Sequence, residues 1–160
     1  MSLSGTGNLT ENGKREVARS MFGKGCAFLA AYILLRQNDQ SEATEYVALQ
    51  NLCQGAEVTL KSILLFKNYD KFRPQFGKRN GLGHDLVKLA NSAVKECALH
   101  DLSVQSTREL RLLNNFYGSH RLRYGTGLDL FVTPHSIARR RVVRLLYRMI
   151  SLTRLELGDL

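Results

Sequence analysis

Residues 41–67, SEATEYVALQNLCQGAEVTLKSILLFK, form the stretch that decides the fold. Ser41 is a favourable N-cap residue, and Glu42 and Glu45 follow it at what would be the positive end of a helix. Apolar residues then recur at helical spacing: Val47, Leu49, Leu52, Ala56, Leu60, Ile63 and Leu64. The stretch therefore predicts a long helix that ends near Lys67.

Helical signals also occur on both sides of this stretch. A capping-box pattern, Ser106-Thr107-Arg108-Glu109, predicts a helix start, and Thr133-Pro134 predicts another N-cap with proline at the first helical position. The remaining helices are predicted over 14–37, 84–99, 106–124 and 134–157. Residues 68–83 are predicted as the one long loop.

No segment of any length alternates with the period of a strand, and no repeat of 20–50 residues occurs. We therefore predict an all-α fold, a four- to five-helix antiparallel (up-and-down) bundle. The 160 residues fit a single domain, which we assign to residues 14–160. Residues 1–13 are rich in Ser, Gly, Asn and Thr, and we expect them to form a disordered N-terminal tail.

The charge is concentrated in the second part of the chain. Residues 1–60 contain 5 basic and 6 acidic residues, whereas residues 61–160 contain 18 basic and 8 acidic residues. Such an excess attracts polyanions, for example nucleic acid, nucleotides or an acidic protein. Ordinary solubility charge is the alternative interpretation.

The cysteines and the longest apolar run indicate in which cellular compartment to expect the protein. Cys26, Cys53 and Cys97 are odd in number and widely spaced, so we expect buried free thiols and a cytoplasmic protein. The longest apolar run, 26–35, is shorter than the roughly 20 residues that cross a bilayer, so we expect a buried helix and no membrane partner.

The last predicted helix carries a row of arginines. Val142, Leu146 and Met149 share its apolar face, while the opposite face carries the arginines, Arg140, Arg141, Arg144 and Arg148. Guanidinium groups bind phosphate in a bidentate manner, so this row is a candidate phosphate-binding surface. A solvated outer face and a dimer contact to acidic side chains are the alternatives.

Two further places carry candidate residues. His120 lies in an apolar stripe of the fourth helix with Tyr117 and Tyr124. The segment 77–83, GKRNGLG, is basic and glycine-rich, and its backbone amides could approach an anion at the start of the third helix. It lacks the P-loop pattern. No metal-binding histidine spacing, nucleophile elbow or di-iron motif occurs, so we expect no metal and no cofactor.

Three short motifs occur in an order that resembles the HEPN superfamily of helical bundles. They are the run 56–65, AEVTLKSILL, then Gly83-His84-Asp85-Leu86 with Leu89, and finally Arg123-Tyr124-Gly125. The resemblance covers about residues 41–155. It implies a homodimer that either binds nucleotides, in some cases as partner of a small nucleotidyltransferase in a toxin–antitoxin or defence pair, or cleaves RNA without metal.

The leading functional hypothesis is a dimeric module that binds a nucleotide or RNA phosphate. Its candidate binding residues are Lys78, Arg79, His84, Arg123, Arg140 and Arg144. The first alternative is a metal-independent RNase that uses His120 with Arg121 or Arg123. The expected R-x(4–6)-H arrangement around His120 is absent, so we expect no RNA cleavage. The second alternative is a helical module for protein interactions.

Overall fold

A computed structural model describes residues 9–38, 41–78, 80–118 and 133–157. Within these residues there are five α-helices, two short 3-10 helices and no strand, which confirms the all-α bundle. The α-helices are α1 (Glu11–Asn38), α2 (Glu42–Phe72), α3 (Leu86–Glu96), α4 (Val104–Gly118) and α5 (Arg140–Leu157). The 3-10 helices are Arg73–Phe76 and Pro134–Ser136.

Helix α2 is the centre of the bundle, and each of the other four α-helices packs against it. Ser41 caps it as expected, because its hydroxyl accepts a hydrogen bond from the Thr44 amide at 3.3 Å. Its apolar side is buried: Leu49, Leu52, Leu60 and Leu64 have no exposed surface. The helix is interrupted at Asn68, whose backbone is extended, and continues for one more turn to Phe72.

Helices α1 and α2 form an antiparallel pair. Lys14 contacts Asp70 near one end of the pair, and Arg36 contacts Glu45 at the other. The up-and-down order holds for this pair. Helix α5 instead follows α2 in the same direction, since Arg139 meets Glu45 and Glu156 meets Lys67.

Small residues allow α1 and α2 to approach closely. Gly25 is buried against Thr59, and Gly55 is buried against Leu29. A Cβ atom at position 25 would lie 2.8 Å from the Thr59 backbone nitrogen, and one at position 55 would lie 3.1 Å from the Leu29 nitrogen. Backbone atoms cannot give way as a flexible side chain can, so position 25 requires glycine, whereas a Cβ at position 55 would displace Leu29.

Helix starts differ from the prediction in α1, α3, α4 and α5. Helix α4 begins at Val104, and Ser103 accepts a hydrogen bond from the Ser106 amide, so the predicted capping box at 106–109 is wrong. Glu109 instead accepts hydrogen bonds from the amides of Arg141 and Val142, at the start of α5. A carboxylate from another helix therefore caps α5.

The fifth helix starts later than predicted. Thr133-Pro134 opens only the 3-10 turn Pro134–Ser136, and the α-helix begins at Arg140. The Arg139 guanidinium donates hydrogen bonds to the carbonyls of Pro134 and Ile137, each at 3.2 Å, which holds the chain in a turn between the two segments. Helix α1, by contrast, begins earlier than predicted, at Glu11.

Helix α1 is long enough and apolar enough to cross a membrane, although only 22% of its most apolar window is buried in the bundle. One such helix is weak evidence for a membrane protein, because core helices of soluble proteins have the same length and composition. The three cysteines are free, with Cys53 buried and Cys26 and Cys97 half-buried. Burial raises the pKa of the Cys53 thiol far above its ordinary value.

The close contact of α1 with α2 can be tested with two glycines of the same helix. Gly25→Ala places a methyl group against the Thr59 backbone, and we expect it to lower the free energy of unfolding by about 1–3 kcal/mol. Gly23→Ala is the matched control, because open space surrounds Gly23. It should leave stability unchanged or raise it by up to about 1 kcal/mol through helix propensity. Urea denaturation measures both, and equal effects of the two substitutions would contradict the close crossing.

Candidate functional site

A buried carboxylate, Glu57, lies in the middle of α2 and accepts hydrogen bonds from three side chains. Lys61, one turn later on α2, places its Nζ 2.7 Å from Oε1. The Tyr117 hydroxyl, at the end of α4, donates to Oε2 at 2.7 Å. The Nδ1 atom of His84, just before α3, lies 2.9 and 3.0 Å from the two carboxylate oxygens.

These contacts keep Glu57 ionised. Burial alone raises the pKa of this carboxyl group, since it disfavours the charged form. Hydrogen bonds from Lys61, His84 and Tyr117, together with the positive charge of Lys61, outweigh burial and lower the pKa below its ordinary value. The carboxylate is therefore negative at neutral pH and acts only as an acceptor.

His84 connects this buried network to the surface. Its side chain is 77% exposed, whereas that of Glu57 is 7% exposed. Because the carboxylate accepts, Nδ1 must carry the hydrogen that joins the two groups. The Nε2 atom makes no hydrogen bond within the described part of the chain, so it is available to a ligand from solvent. Nε2 can accept a hydrogen bond when the ring is neutral and donate one when it is protonated.

The backbone next to His84 is firmly anchored. Gly83 adopts a positive φ of 44°, a conformation that glycine allows without strain and that turns the chain into α3. Asp85 caps α3 by accepting from the amides of Val87 and Lys88 at 3.0 Å. Asn114 of α4 accepts from the Leu86 amide at 2.8 Å.

This anchoring corrects one expectation about the glycine-rich segment. The first three amides of α3 are already bonded to Asp85 and Asn114, so they are not free to bind an anion. The amides of Gly81 and Leu82 likewise donate to the carbonyls of Lys78 and Gln75. Any anion binding here must therefore come mainly from side chains.

A second buried carboxylate, Glu45, lies near the start of α2. The Arg139 guanidinium contacts its Oε1, and the Arg36 Nε lies 3.4 Å from its Oε2. His135 Nδ1 is 3.9 Å from the same carboxylate. Both Glu45 and Arg139 are buried, so this cluster joins the loop before α5 to the start of α2 and leaves little surface for a ligand.

Among the described residues of the predicted binding set, His84 and Arg140 lie at different places along α2. Glu45 and Glu57 are twelve residues apart, which is about 18 Å along α2 and roughly 120° around it. Arg140 follows Arg139 at the Glu45 end, whereas His84 lies at the Glu57 end. No described contact joins these two regions.

Comparison with models of protein families, with curated proteins and with solved structures finds no match for this chain. The functional conclusion therefore depends on the geometry of the candidate residues.

The predicted residues have the following positions. Lys78 is exposed in the loop before His84, and Arg140 and Arg144 are exposed on α5 without an ion pair to any described residue. The others, Arg79, His120, Arg121 and Arg123, lie outside the described residues. Within the described ranges, no group of three or more His, Cys, Asp or Glu side chains is placed to hold a metal ion.

Sequence reasoning missed Glu57, Lys61, Tyr117 and Asn114 as members of the His84 site. One signal was present in the sequence. Glu57 and Lys61 are spaced i and i+4 within an otherwise apolar stretch of α2, and charges at buried helix positions are normally paired. Tyr117 and Asn114 gave no comparable signal, because their contacts depend on how α4 packs.

The network around Glu57 predicts a pH-dependent loss of stability in Tyr117→Phe. The substitution keeps the ring but removes one hydrogen bond to a buried carboxylate, and we expect unfolding at neutral pH to require about 1.5–3 kcal/mol less. Removing the donor also raises the pKa of Glu57 towards its ordinary value.

The stability that the Tyr117–Glu57 hydrogen bond contributes depends on pH. A carboxyl group whose pKa is lowered by folding stabilises the native state above its unfolded pKa, and this stability is lost as the pH falls through the folded pKa. The difference between wild type and Tyr117→Phe should therefore shrink in acid. Tyr147→Phe, at an exposed position, is the control. Identical urea midpoints of wild type and Tyr117→Phe at neutral pH would contradict the network.

Proposed function

We propose that this protein is a phosphate-binding module of the HEPN type, which binds a nucleotide or RNA phosphate at His84. The observation that supports the proposal is the Glu57–His84 pair, in which a buried carboxylate holds an exposed imidazole by Nδ1 at 2.9 Å. Lys78 is exposed six residues earlier in the chain, and the proposal assigns it as a second cation for the phosphate.

The chemistry of the pair suits an anion that carries phosphate oxygens. When a phosphate approaches Nε2, a proton on that nitrogen gives a charge-assisted hydrogen bond. Glu57 remains negative and directly contacts the ring, so it stabilises the imidazolium that forms. Binding at Nε2 should therefore weaken as salt screens these charges.

The HEPN resemblance is supported by the parts that its residues play in the fold. In the motif around Gly83-His84-Asp85-Leu86, Gly83 makes the turn, Asp85 caps α3 and Leu86 is buried, which leaves His84 as the exposed member. A homodimer, a cytoplasmic location and a nucleotidyltransferase partner belong to the same proposal. The alternative RNase activity through His120 concerns residues outside the described ranges.

The proposal predicts that His84→Ala weakens binding of a short fluorescein-labelled RNA by about fivefold or more, because one charge-assisted hydrogen bond is lost. Fluorescence anisotropy at low salt measures the affinity. In wild type the affinity should fall as salt is raised, and in His84→Ala it should depend less on salt.

His100→Ala is the matched control, since His100 is an exposed histidine that has no contact with Glu57. It should bind RNA as wild type does. Glu57→Gln should lower the affinity without removing His84, because the imidazolium loses its counter-charge. Equal RNA affinities and equal salt dependences for wild type and His84→Ala would exclude phosphate binding at His84.

A further inference from the structure

An apolar groove lies between α1 and α5, and His84 is not among the residues that line it. Leu52 of α2 forms its floor, Tyr32 and Ile33 line it from α1, and Leu146, Tyr147 and Ile150 line it from α5. The free space within it is about 90 Å³, and every side chain that lines it is apolar or aromatic. This groove has no role in the phosphate-binding proposal.

The two edges of the groove expose large side chains. Tyr147 is 75% exposed and Ile33 is 49% exposed, and the neighbouring Leu34 is 57% exposed. Contiguous exposed apolar surface of this kind is typical of an interaction surface, whereas single exposed apolar residues are not informative. Tyrosine at the edge of such a surface is also common in protein interfaces.

Positive charge borders the groove along α5. At 100° per residue, Arg140 and Arg144 lie about 20° and 60° around the helix from Tyr147. Together with Arg148 they are exposed, and no described carboxylate pairs with them. At the α1 side, Arg36 stacks over the Tyr32 ring with its guanidinium carbon 6.0 Å from the ring centroid. The occupant of the groove must therefore combine apolar and acidic groups.

A second copy of this chain fits this surface poorly. Two copies that met through α5 would bring their arginine rows together, and the described part of each chain has few free carboxylates to offset them. Most described acidic residues already form ion pairs: Glu11, Glu16, Glu45, Glu57, Asp70, Glu96, Glu109 and Glu156.

Nucleic acid and a lipid surface also fit less well than a helix. A phosphate backbone would use the arginines but would leave the apolar groove exposed to water. A bilayer surface is broad, whereas the groove is a narrow depression between two helices. An amphipathic helix, by contrast, places an apolar face in such a groove and its charged flanks at the edges.

We propose that the α1–α5 groove binds an acidic amphipathic helix of a partner protein. The apolar side of that helix packs between Ile33 and Tyr147, and its carboxylates pair with Arg140, Arg144 and Arg148. Electrostatic attraction speeds the encounter and selects against basic helices, while apolar burial supplies most of the affinity.

The experiment uses a designed probe, a fluorescein-labelled helical peptide with leucine at i, i+3, i+4 and i+7 and glutamate at its other surface positions. We expect anisotropy to show binding to the full chain with a Kd of about 1–100 μM. Tyr147→Ser and Ile33→Ser should each weaken binding by about fivefold or more. The double variant Arg140→Glu with Arg144→Glu should weaken it further and reduce its dependence on salt.

Matched controls are available on α4. Val104 is 81% exposed and Arg108 is exposed on the same helix, both outside the groove. Val104→Ser and Arg108→Glu should bind the probe as wild type does, and a peptide with lysine in place of every glutamate should bind at least about tenfold more weakly. Circular dichroism of each variant shows whether it remains folded.

The same variants also test the three rival occupants of the groove: nucleic acid, a lipid surface and a second copy of this chain. The proposal is overturned if the glutamate peptide does not bind, if the lysine peptide binds equally well, or if the α4 controls weaken binding as much as the groove variants. It is also overturned if the groove variants leave peptide binding intact but abolish one of three other interactions. Loss of RNA binding would identify nucleic acid as the occupant, and loss of association with phosphatidylserine vesicles would identify a lipid surface. Loss of a dimer in sedimentation would identify a second copy of this chain.

Discussion

Two carboxylates buried on α2, Glu45 and Glu57, impose the constraint on which the rest of the structure depends. An ionised group in a protein interior must be paired and hydrogen-bonded, because an unpaired one costs several kcal/mol, on the order of 3–5 when a partner is removed. Glu45 is paired with Arg139 and Arg36, and Glu57 with Lys61, His84 and Tyr117. These pairs fix the start of α5, the loop before α3 and the end of α4 relative to α2.

The network around Glu57 is more elaborate than stability requires. Apolar residues of similar size often stabilise a core as well as a buried ion pair does. Here the carboxylate also fixes the orientation of a side chain that is 77% exposed, His84. A buried acceptor that holds an exposed imidazole by Nδ1 leaves Nε2 directed to a ligand. Among the described residues, the arginines of α5 have no buried partner that orients them, so the proposed function depends on His84.

The fold could be predicted from the sequence to a large extent, because helical periodicity and local capping are encoded by neighbouring residues. The Ser41 cap, the buried side of α2 and the apolar side of α5 agree with the structure. Helix starts fixed by distant contacts could not be predicted. Glu109 matched a local capping box, yet it caps α5, since its carboxylate meets amides more than thirty residues away.

The candidate site could be predicted only in part. His84 was recognisable from its motif, whereas its partners come from α2 and α4, and a histidine 27 residues away gives no local sign of its carboxylate. The arginine row was recognisable from its spacing, but the apolar groove beside it requires α1 and α5 to pack on either side of Leu52 of α2. Sequence alone therefore combined two separate surfaces into one phosphate-binding site.

The central claim is that Glu57 holds His84 by Nδ1 and leaves Nε2 to the ligand. Long-range nitrogen–proton NMR of the imidazole rings tests it most directly, with the exposed His100 as internal reference. The account predicts that neutral His84 carries its hydrogen on Nδ1, that inorganic phosphate shifts its Nε2 resonance, and that the preference for the Nδ1 hydrogen disappears in Glu57→Leu, which has no acceptor at this position. A His84 ring with its hydrogen on Nε2, unaffected by phosphate and by Glu57→Leu, would contradict the account.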